Sequence, residues 1–464
     1  MPANFWAGMR TFLRPLLILA LVTIVGSQLS AAQTQPTSPE VQQLRDELQQ
    51  MKQELDAVKA QLKVVTEQKP PVVDQGTQDE PSKEVPASPP ATRLDLYGFT
   101  QLDTGYDFAT NNPNWYDVVR PTQLNAFPGE FAPDGKFYFS VRQTRFGVKT
   151  STDTSVGKLK TIFEFELFGT GVDAGQTTFR LRHAYGELGI IGAGQTWSPF
   201  MDIDVFPNTL EYWGPNGMVF FRNLQLRFMP LRGERNSLTF AIEKPGASAD
   251  GGVYSDRIDL TNIKPKFDMP DFSGNFRTSQ KWGYLQLAGI LRKMSWVDTG
   301  TGPFNLGGDA WGWGVNVSSN VKFSPKDTGK LEFTYGEGIE NYMNDAPVDV
   351  GAQNNPGNLV TPVKGKALPV LGMVSFLDHT WNDQFTSSIG YSLLNISNSD
   401  AQLPNAFHQG QYAIGNLLYH PIKPVVIGGE FQFGRRINFG DGFNTNDYRL
   451  QFSFRYDWSK VFDF

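Results

Sequence analysis

A period of two runs through the stretch from Asp447 to Phe464. Even positions read Tyr448, Leu450, Phe452, Phe454, Tyr456, Trp458, Lys460, Phe462 and Phe464. Odd positions read Asp447, Arg449, Gln451, Ser453, Arg455, Asp457, Ser459, Val461 and Asp463. Successive side chains of a β-strand point to opposite faces, so this is a strand with one aromatic face and one wet face. Lys460 alone interrupts the first set and Val461 the second. A closing strand of a membrane barrel, whose outer face meets lipid, accounts for such a pattern ending on Phe464. A hydrophobic terminal strand in a soluble sandwich is the alternative.

The same alternation recurs upstream. Leu94, Leu96, Leu102, Tyr106 and Phe108 oppose Asp95, Gln101, Asp103 and Asp107. Leu159, Phe163, Phe165 and Leu167 oppose Lys158, Lys160, Glu164 and Glu166. Phe179 and Leu181 oppose Arg180 and Arg182, and Leu224, Leu226 and Phe228 oppose Asn223, Gln225 and Arg227. Near the end, Ile427, Phe431 and Phe433 oppose Glu430, Gln432 and Arg436. Between Phe137 and Thr150 the parity of Phe139 and Val141 conflicts with that of Phe146 and Val148. That conflict predicts a bulge or a strand entering a subunit interface, with at most one of Arg142 and Arg145 luminal. About sixteen such segments, roughly ten residues each, predict an all-β transmembrane barrel over 93–464. Long inserts at 111–134, 245–271, 297–309 and 341–366 alternate with short turns. A ring of about this size encloses water rather than a packed core.

The N-terminal part reads differently. Residues 1–32 carry Arg10 and Arg14, an apolar run from Leu16 to Gly26, and Ser30-Ala31-Ala32, the pattern of a secretory signal peptide. Within 40–66, Val41, Leu44, Leu48, Met51, Leu55, Val58, Leu62 and Val65 step by three and four, with Glu47 facing Lys52 and Glu54 facing Lys59. This predicts an α-helical coiled coil, leaning toward three or more chains because β-branched residues occupy several d positions. A single amphipathic helix lying on the barrel is the alternative. Residues 67–92, rich in proline and charge, predict an extended linker.

Composition narrows the classes. The chain contains 46 Gly, 36 Phe, 15 Tyr and 10 Trp, a stock that turns and aromatic girdles use. Cysteine is absent, which removes disulfides and thiolate metal sites. The formal charge is −6, which argues against nucleic acid as a partner. Mean hydropathy is −0.33, and no apolar run after residue 32 is long enough for a transmembrane helix.

The insert from Gln195 to Gly217 is the most informative. Asp202, Asp204, Glu211, Tyr212 and Trp213 lie in it, with prolines and aromatic residues that hold shape without sheet pairing. It reads as a loop folded into the lumen to set its narrowest point; an ordinary outer loop is the alternative. Against its carboxylates stand the inward basic residues Arg180, Arg182, Arg227, Arg436, Arg449 and Arg455, joined by Lys158, Lys160 and Arg292. A guanidinium ladder facing carboxylates would orient anions and hold a solute carboxylate by bidentate pairing. In the plainer reading these charges solvate a wet wall and pair with Glu164, Glu166 and Glu430. Catalysis finds little support. His183, His379, His408 and His420 are far apart, Ser198 has no elbow glycines, and no phosphate-binding loop motif occurs. An outer-membrane hydrolase would need a Ser/His pair on adjacent outer strand faces. No cofactor is expected.

Signal peptide, coiled coil, Pro-rich spacer, then LDLYGFTQLD, GQTWSPF and YGEGIENY together resemble the DcaP-like trimeric porins of Gram-negative outer membranes, and the terminal Phe464 resembles the closing signature of bacterial outer-membrane barrels. The resemblance implies a homotrimer of barrels with a periplasmic coiled-coil stalk and uptake of small anions such as dicarboxylates, with no enzymatic activity. It also implies contact with outer-membrane lipid and lipopolysaccharide, insertion by the barrel assembly machinery, and peptidoglycan as a candidate partner of the stalk. From another functional class, a structural envelope protein would use the same stalk to tether membrane to peptidoglycan.

Overall fold

The computed structural model describes residues 92–246 and 254–464. The signal segment 1–32, the heptads of 40–66 and the 67–92 spacer up to residue 91 lie outside the described residues. Twenty strands follow in chain order: β1 (Thr92–Asp107), β2 (Lys136–Ser140), β3 (Arg145–Thr154), β4 (Gly157–Phe168), β5 (Thr177–Leu188), β6 (Ile191–Trp197), β7 (Arg222–Arg232), β8 (Asn236–Glu243), β9 (Ile263–Lys266), β10 (Asp271–Gln280), β11 (Gly283–Asp298), β12 (Gly308–Lys322), β13 (Asp327–Glu337), β14 (Val350–Asn354), β15 (Val363–Ala367), β16 (Pro369–Thr380), β17 (Phe385–Ile396), β18 (Phe407–Tyr419), β19 (Val425–Asn438) and β20 (Asn444–Asp463). β14 and β15 form a hairpin inside a loop, and the other eighteen form one antiparallel sheet. β2 and β3 share one edge of β1, and β9 and β10 share one edge of β11, so each pair is a single interrupted span. The ring therefore has sixteen spans, as the alternation predicts.

Closure is complete along the seam. β1 pairs with β20 from Arg93 opposite Asp463 to Asp107 opposite Arg449. At its end Phe464 N donates to Thr92 O at 2.9 Å and Thr92 N donates to Phe464 O at 3.1 Å. Gly98 is required here: a Cβ would lie 2.3 Å from Arg145 O and 2.5 Å from the Trp458 ring. A closed ring leaves no strand edge unpaired, which is what a hydrocarbon solvent demands.

Side-chain polarity is inverted relative to a soluble protein. On β20, Phe452 is 58% exposed and Gln451 is 0% exposed. Leu226, Phe240, Leu287, Trp311, Phe333, Ile389 and Phe431 face outward and are exposed, whereas Glu166, Gln225, Asn316, Thr334, Ser392 and Gln432 are buried. The predicted irregularity before Thr150 is a break with one extra residue. Ser140 pairs with Asp103 and Arg145 with Phe99, so five steps on one side match four on the other. An extra residue flips parity. Both Arg142 and Arg145 consequently turn inward, which corrects the expectation of at most one: Arg142 binds Asp117 at 2.5 Å and Arg145 binds Glu166 at 3.2 Å.

One rim, where β1 starts and β20 ends, has short turns; the opposite, far rim has the long loops. The third and the sixth are among those that enter the ring. The third loop (198–221), between β6 and β7, crosses the interior from wall to wall. Asp202 Oδ2 accepts from Tyr284 and Ser318, both at 2.7 Å. The Glu430 carboxylate accepts from Leu210 N at 2.8 Å and Glu211 N at 3.0 Å. Glu332 takes Val219 N at 2.6 Å, and Gln451 donates to Leu210 O at 3.2 Å. Gly217 brings the loop back at φ 74°, where a Cβ would meet Leu393 O at 2.2 Å. The sixth loop (338–368), between β13 and β16, joins it. Phe200, Met201, Val205, Met218 and Val219 of the third loop and Ile339, Tyr342 and Met343 of the sixth pack against inward Ile290, Val374, Phe376, Leu394 and Ile414. Part of the lumen is thus a packed apolar core, which corrects the expectation of an interior filled by water alone.

Glu211 sits at the buried end of this crossing. It accepts from Gly214 N at 2.6 Å and Val119 N at 3.1 Å, with the Tyr412 hydroxyl at 3.2 Å. Burial, with Glu430 adding to it, pushes its carboxyl up to about 8.

Two outcomes follow. Phe452→Arg places a charge on the lipid face near mid-span and should lower folding stability in lipid vesicles by about 2–4 kcal/mol, against a far smaller change for Phe452→Leu; equal denaturant midpoints for the two would contradict the inverted wall. Glu211 is protonated in the docked loop and ionised when the loop is free, so docking should weaken as pH rises from the ordinary carboxyl range to about 8, then level off. The protection factors of the Val119 and Gly214 amides, corrected for the intrinsic rise of exchange with pH, should fall over that window in the native protein and stay flat in Glu211→Gln.

Candidate functional site

Room remains beside the third loop. A cavity of about 160 Å³ lies between its tip, β5, the start of β7, the first (108–135) and sixth loops, and Arg257 of the segment that precedes β9. Arg120, Arg180, Arg222 and Arg257 line it, with Tyr212, Trp213, Phe220 and Phe221 as its apolar surfaces. Among the described residues, Asp345 is the one carboxylate in its lining, and it is already occupied. Its oxygens accept from Arg120 Nε at 2.8 Å, Thr122 N at 2.9 Å and Thr122 Oγ1 at 2.5 Å. Arg120 is further held between the rings of Trp115 and Trp213, 4.0 and 4.1 Å from their centroids.

Arg222 is the least satisfied of the four. It opens β7, where the third loop rejoins the wall, and only 7% of it is exposed. Its Nη1 has no hydrogen-bond partner, and neither has the indole nitrogen of Trp213 beside it. Buried donors without acceptors are costly and uncommon in native proteins, and a cationic one costs most. Beneath the cavity, Glu164 and Glu166 of β4 face Arg145, Arg180, Arg182 and Arg222. Arg182 binds Glu164 at 2.6 Å and Glu166 at 2.7 Å. Two carboxylates among four guanidiniums leave a net positive wall.

The other anticipated residues have different surroundings. Arg227 donates to Trp197 O at 2.5 Å and Gln225 at 3.0 Å. Arg436 ties the first loop to the loop between β17 and β18 (397–406) through Thr122 O and Asn405 O, each at 3.0 Å. Arg449 is buried on Asp107 at 2.9 Å. Arg455 binds Asp457 at 2.5 Å and lies 3.9 Å from the Phe99 ring centroid, while Arg145 lies 5.1 Å from it, so the first and last strands do share that patch. Lys158 pairs with Asp153 and Lys160 with Glu187, both largely exposed near the short-turn rim. Arg292 holds Asp271 and Asp349. In the third loop, Asp202 and Asp204 both pair with Arg277 on the wall. Of the anticipated loop residues, Tyr212 and Trp213 line the cavity with the arginines. Arg120, Arg222 and Arg257 escaped the sequence reading. Two lie in loops, and Arg222 carries the outward parity of β7 but sits at its first residue, where the chain is turning in.

A row on the outer surface meets half of the hydrolase criterion. His379 pairs in register with Asp327 on one side and Ser387 on the other. His379 Nδ1 lies 2.6 Å from Asp327, but Ser387 Oγ accepts from Trp381 Nε1 at 2.9 Å, and no bond joins it to His379. Among the described residues, no three His, Asp or Glu side chains are placed to hold a metal ion.

Comparison with known proteins places the architecture. Among solved structures, the outer membrane channel DcaP of Acinetobacter baumannii shares 20% identity, with 79% of this chain and 97% of that chain covered and a TM-score of 0.66. An anion-selective porin from Comamonas acidovorans shares 9% identity, with 79% and 100% covered and a TM-score of 0.51. A search of curated protein sequences returned no match. The family described as DcaP outer membrane protein matches residues 29–458. The chain, a closed barrel of sixteen spans with a loop folded through it, belongs to the DcaP outer membrane protein family of porin-like channels.

Proposed function

We propose that this protein is a homotrimeric porin of the outer membrane that passes small anionic organic solutes, dicarboxylates among them, by diffusion along an arginine-lined wall. The observation that carries the reading is Arg222. A buried guanidinium with a free N–H, beside a free indole N–H and three further arginines, is a site for an acceptor anion. The third loop adds to this by what it lacks: Asp202 and Asp204 are bound to Arg277 on the wall, so the loop meets a passing solute with Tyr212, Trp213, Phe220 and Phe221. Transport at such a site needs attraction strong enough for entry and weak enough for exit. In this reading, residues 40–66 form the periplasmic stalk that gathers three chains. The anion-selective porin from Comamonas acidovorans has a similar fold, which is consistent with the assignment.

The test is a reversal potential across a planar bilayer under a salt gradient. The native protein should favour chloride and succinate over potassium, and Arg180→Gln with Arg222→Gln should lower the anion-to-cation permeability ratio severalfold. Cation preference in the native protein would defeat the proposal.

A further inference from the structure

The two oxygens of Glu166 do different work. The residue is fully buried at the end of β4, where four arginines converge. Oε2 makes the tight contacts, with Arg182 Nη1 at 2.7 Å and Arg145 Nη2 at 3.2 Å. Oε1 makes the loose ones. Arg180 Nη1 is 3.7 Å away and Arg222 Nη2 is 3.9 Å away, within ion-pair range but beyond a hydrogen bond. The close bond of Oε1 comes instead from the hydroxyl of Tyr212, on the third loop. Tyr212 is fixed in turn by stacking on Phe168, ring centroids 4.0 Å apart and planes 14° apart.

Resting on the anion-porin reading, we infer that Glu166 is a resident competitor for the solute carboxylate, and so sets how long a solute stays. Arg180 and Arg222 both line the cavity and both lean on Oε1 without bonding to it. An arriving carboxylate offers the same two guanidiniums the hydrogen bonds that Oε1 does not. It gains those bonds against the field of a buried negative charge about one ion-pair distance behind them. In a partly desolvated wall, that repulsion is far stronger than in water. The effect is to weaken a site that four guanidiniums would otherwise make too adhesive for passage. Tyr212 competes with Arg180 and Arg222 for Oε1: its hydroxyl takes one of the two lone pairs of that oxygen, and both guanidiniums stay beyond hydrogen-bond distance. Glu166 is therefore a positioning residue, acting on the solute through the arginines.

Two isosteric substitutions move this balance in opposite directions. Glu166→Gln removes the competing charge and keeps the shape. Tyr212→Phe removes the hydroxyl and frees Oε1 to draw in the two arginines. Residence of succinate in the pore, from current noise in single-channel recordings over a concentration series, should lengthen about tenfold in Glu166→Gln. It should shorten severalfold in Tyr212→Phe. If Glu166 only braced the wall, both variants would loosen the arginines and shorten residence together, and that result would overturn the inference. Equal residence in the native protein and Glu166→Gln would overturn it as well. Absence of any succinate-dependent noise in the native protein would instead strike the underlying reading of the site. Unheated gel mobility of each variant shows that the barrel has folded.

Discussion

Hydrocarbon offers no hydrogen bonds, and that single constraint orders the whole molecule. Every backbone group in the spanning region has to find a partner in a neighbouring strand, so the last strand must meet the first. The β1–β20 seam does this without interruption from Arg93 to Asp107. Once the ring is shut, side chains can point only to lipid or to the interior. Aromatic and aliphatic residues take the outside. Charged and amide residues go in, where they need partners because little water reaches most of them.

Those partners come largely from loops, and the pairing decides where charge is left over. Asp117, Asp202, Asp204, Asp345 and Asp349 of the first, third and sixth loops each meet an arginine. Glu332 and Glu430 meet backbone N–H groups of the third loop. The loops in turn cover the apolar inner faces of β11, β16, β17 and β18, where Ile290, Val374, Phe376, Leu394 and Ile414 would otherwise face water. By difference, the wall of β3 to β7 keeps its arginines incompletely matched. The chain as a whole carries a formal charge of −6, yet its internal cavity is lined by guanidiniums. Net charge is a property of the whole surface, and here the local balance is set by which pairs are closed.

Much of this was legible in the sequence. Period-two alternation located the spans, their number and their outer faces, because a membrane wall enforces the pattern on every strand. Proline and aromatic residues marked the third loop as one that keeps its shape. The parity conflict around Phe139 and Phe146 correctly announced a bulge, but not that the extra residue would turn both Arg142 and Arg145 inward. Alternation also could not show which inward residues face solvent. Val374, Phe376 and Leu394 face inward, but a loop distant in sequence covers them. Arg120 and Arg257 belong to no strand and so carry no parity at all. Pairing partners hundreds of residues apart, such as Gln451 with Leu210, exist only once the ring has closed.

The most direct test uses the absence of cysteine. Phe179 and Arg180 are adjacent on β5 and point to opposite sides of the wall; Phe179 is 75% exposed on the outer face. Single-cysteine proteins carrying Phe179→Cys or Arg180→Cys would be treated with an anionic, membrane-impermeant thiol reagent during current recording. The account predicts rapid modification and a fall in current for Arg180→Cys, with Phe179→Cys untouched. Modification and block of Phe179→Cys, with Arg180→Cys inert, would contradict it.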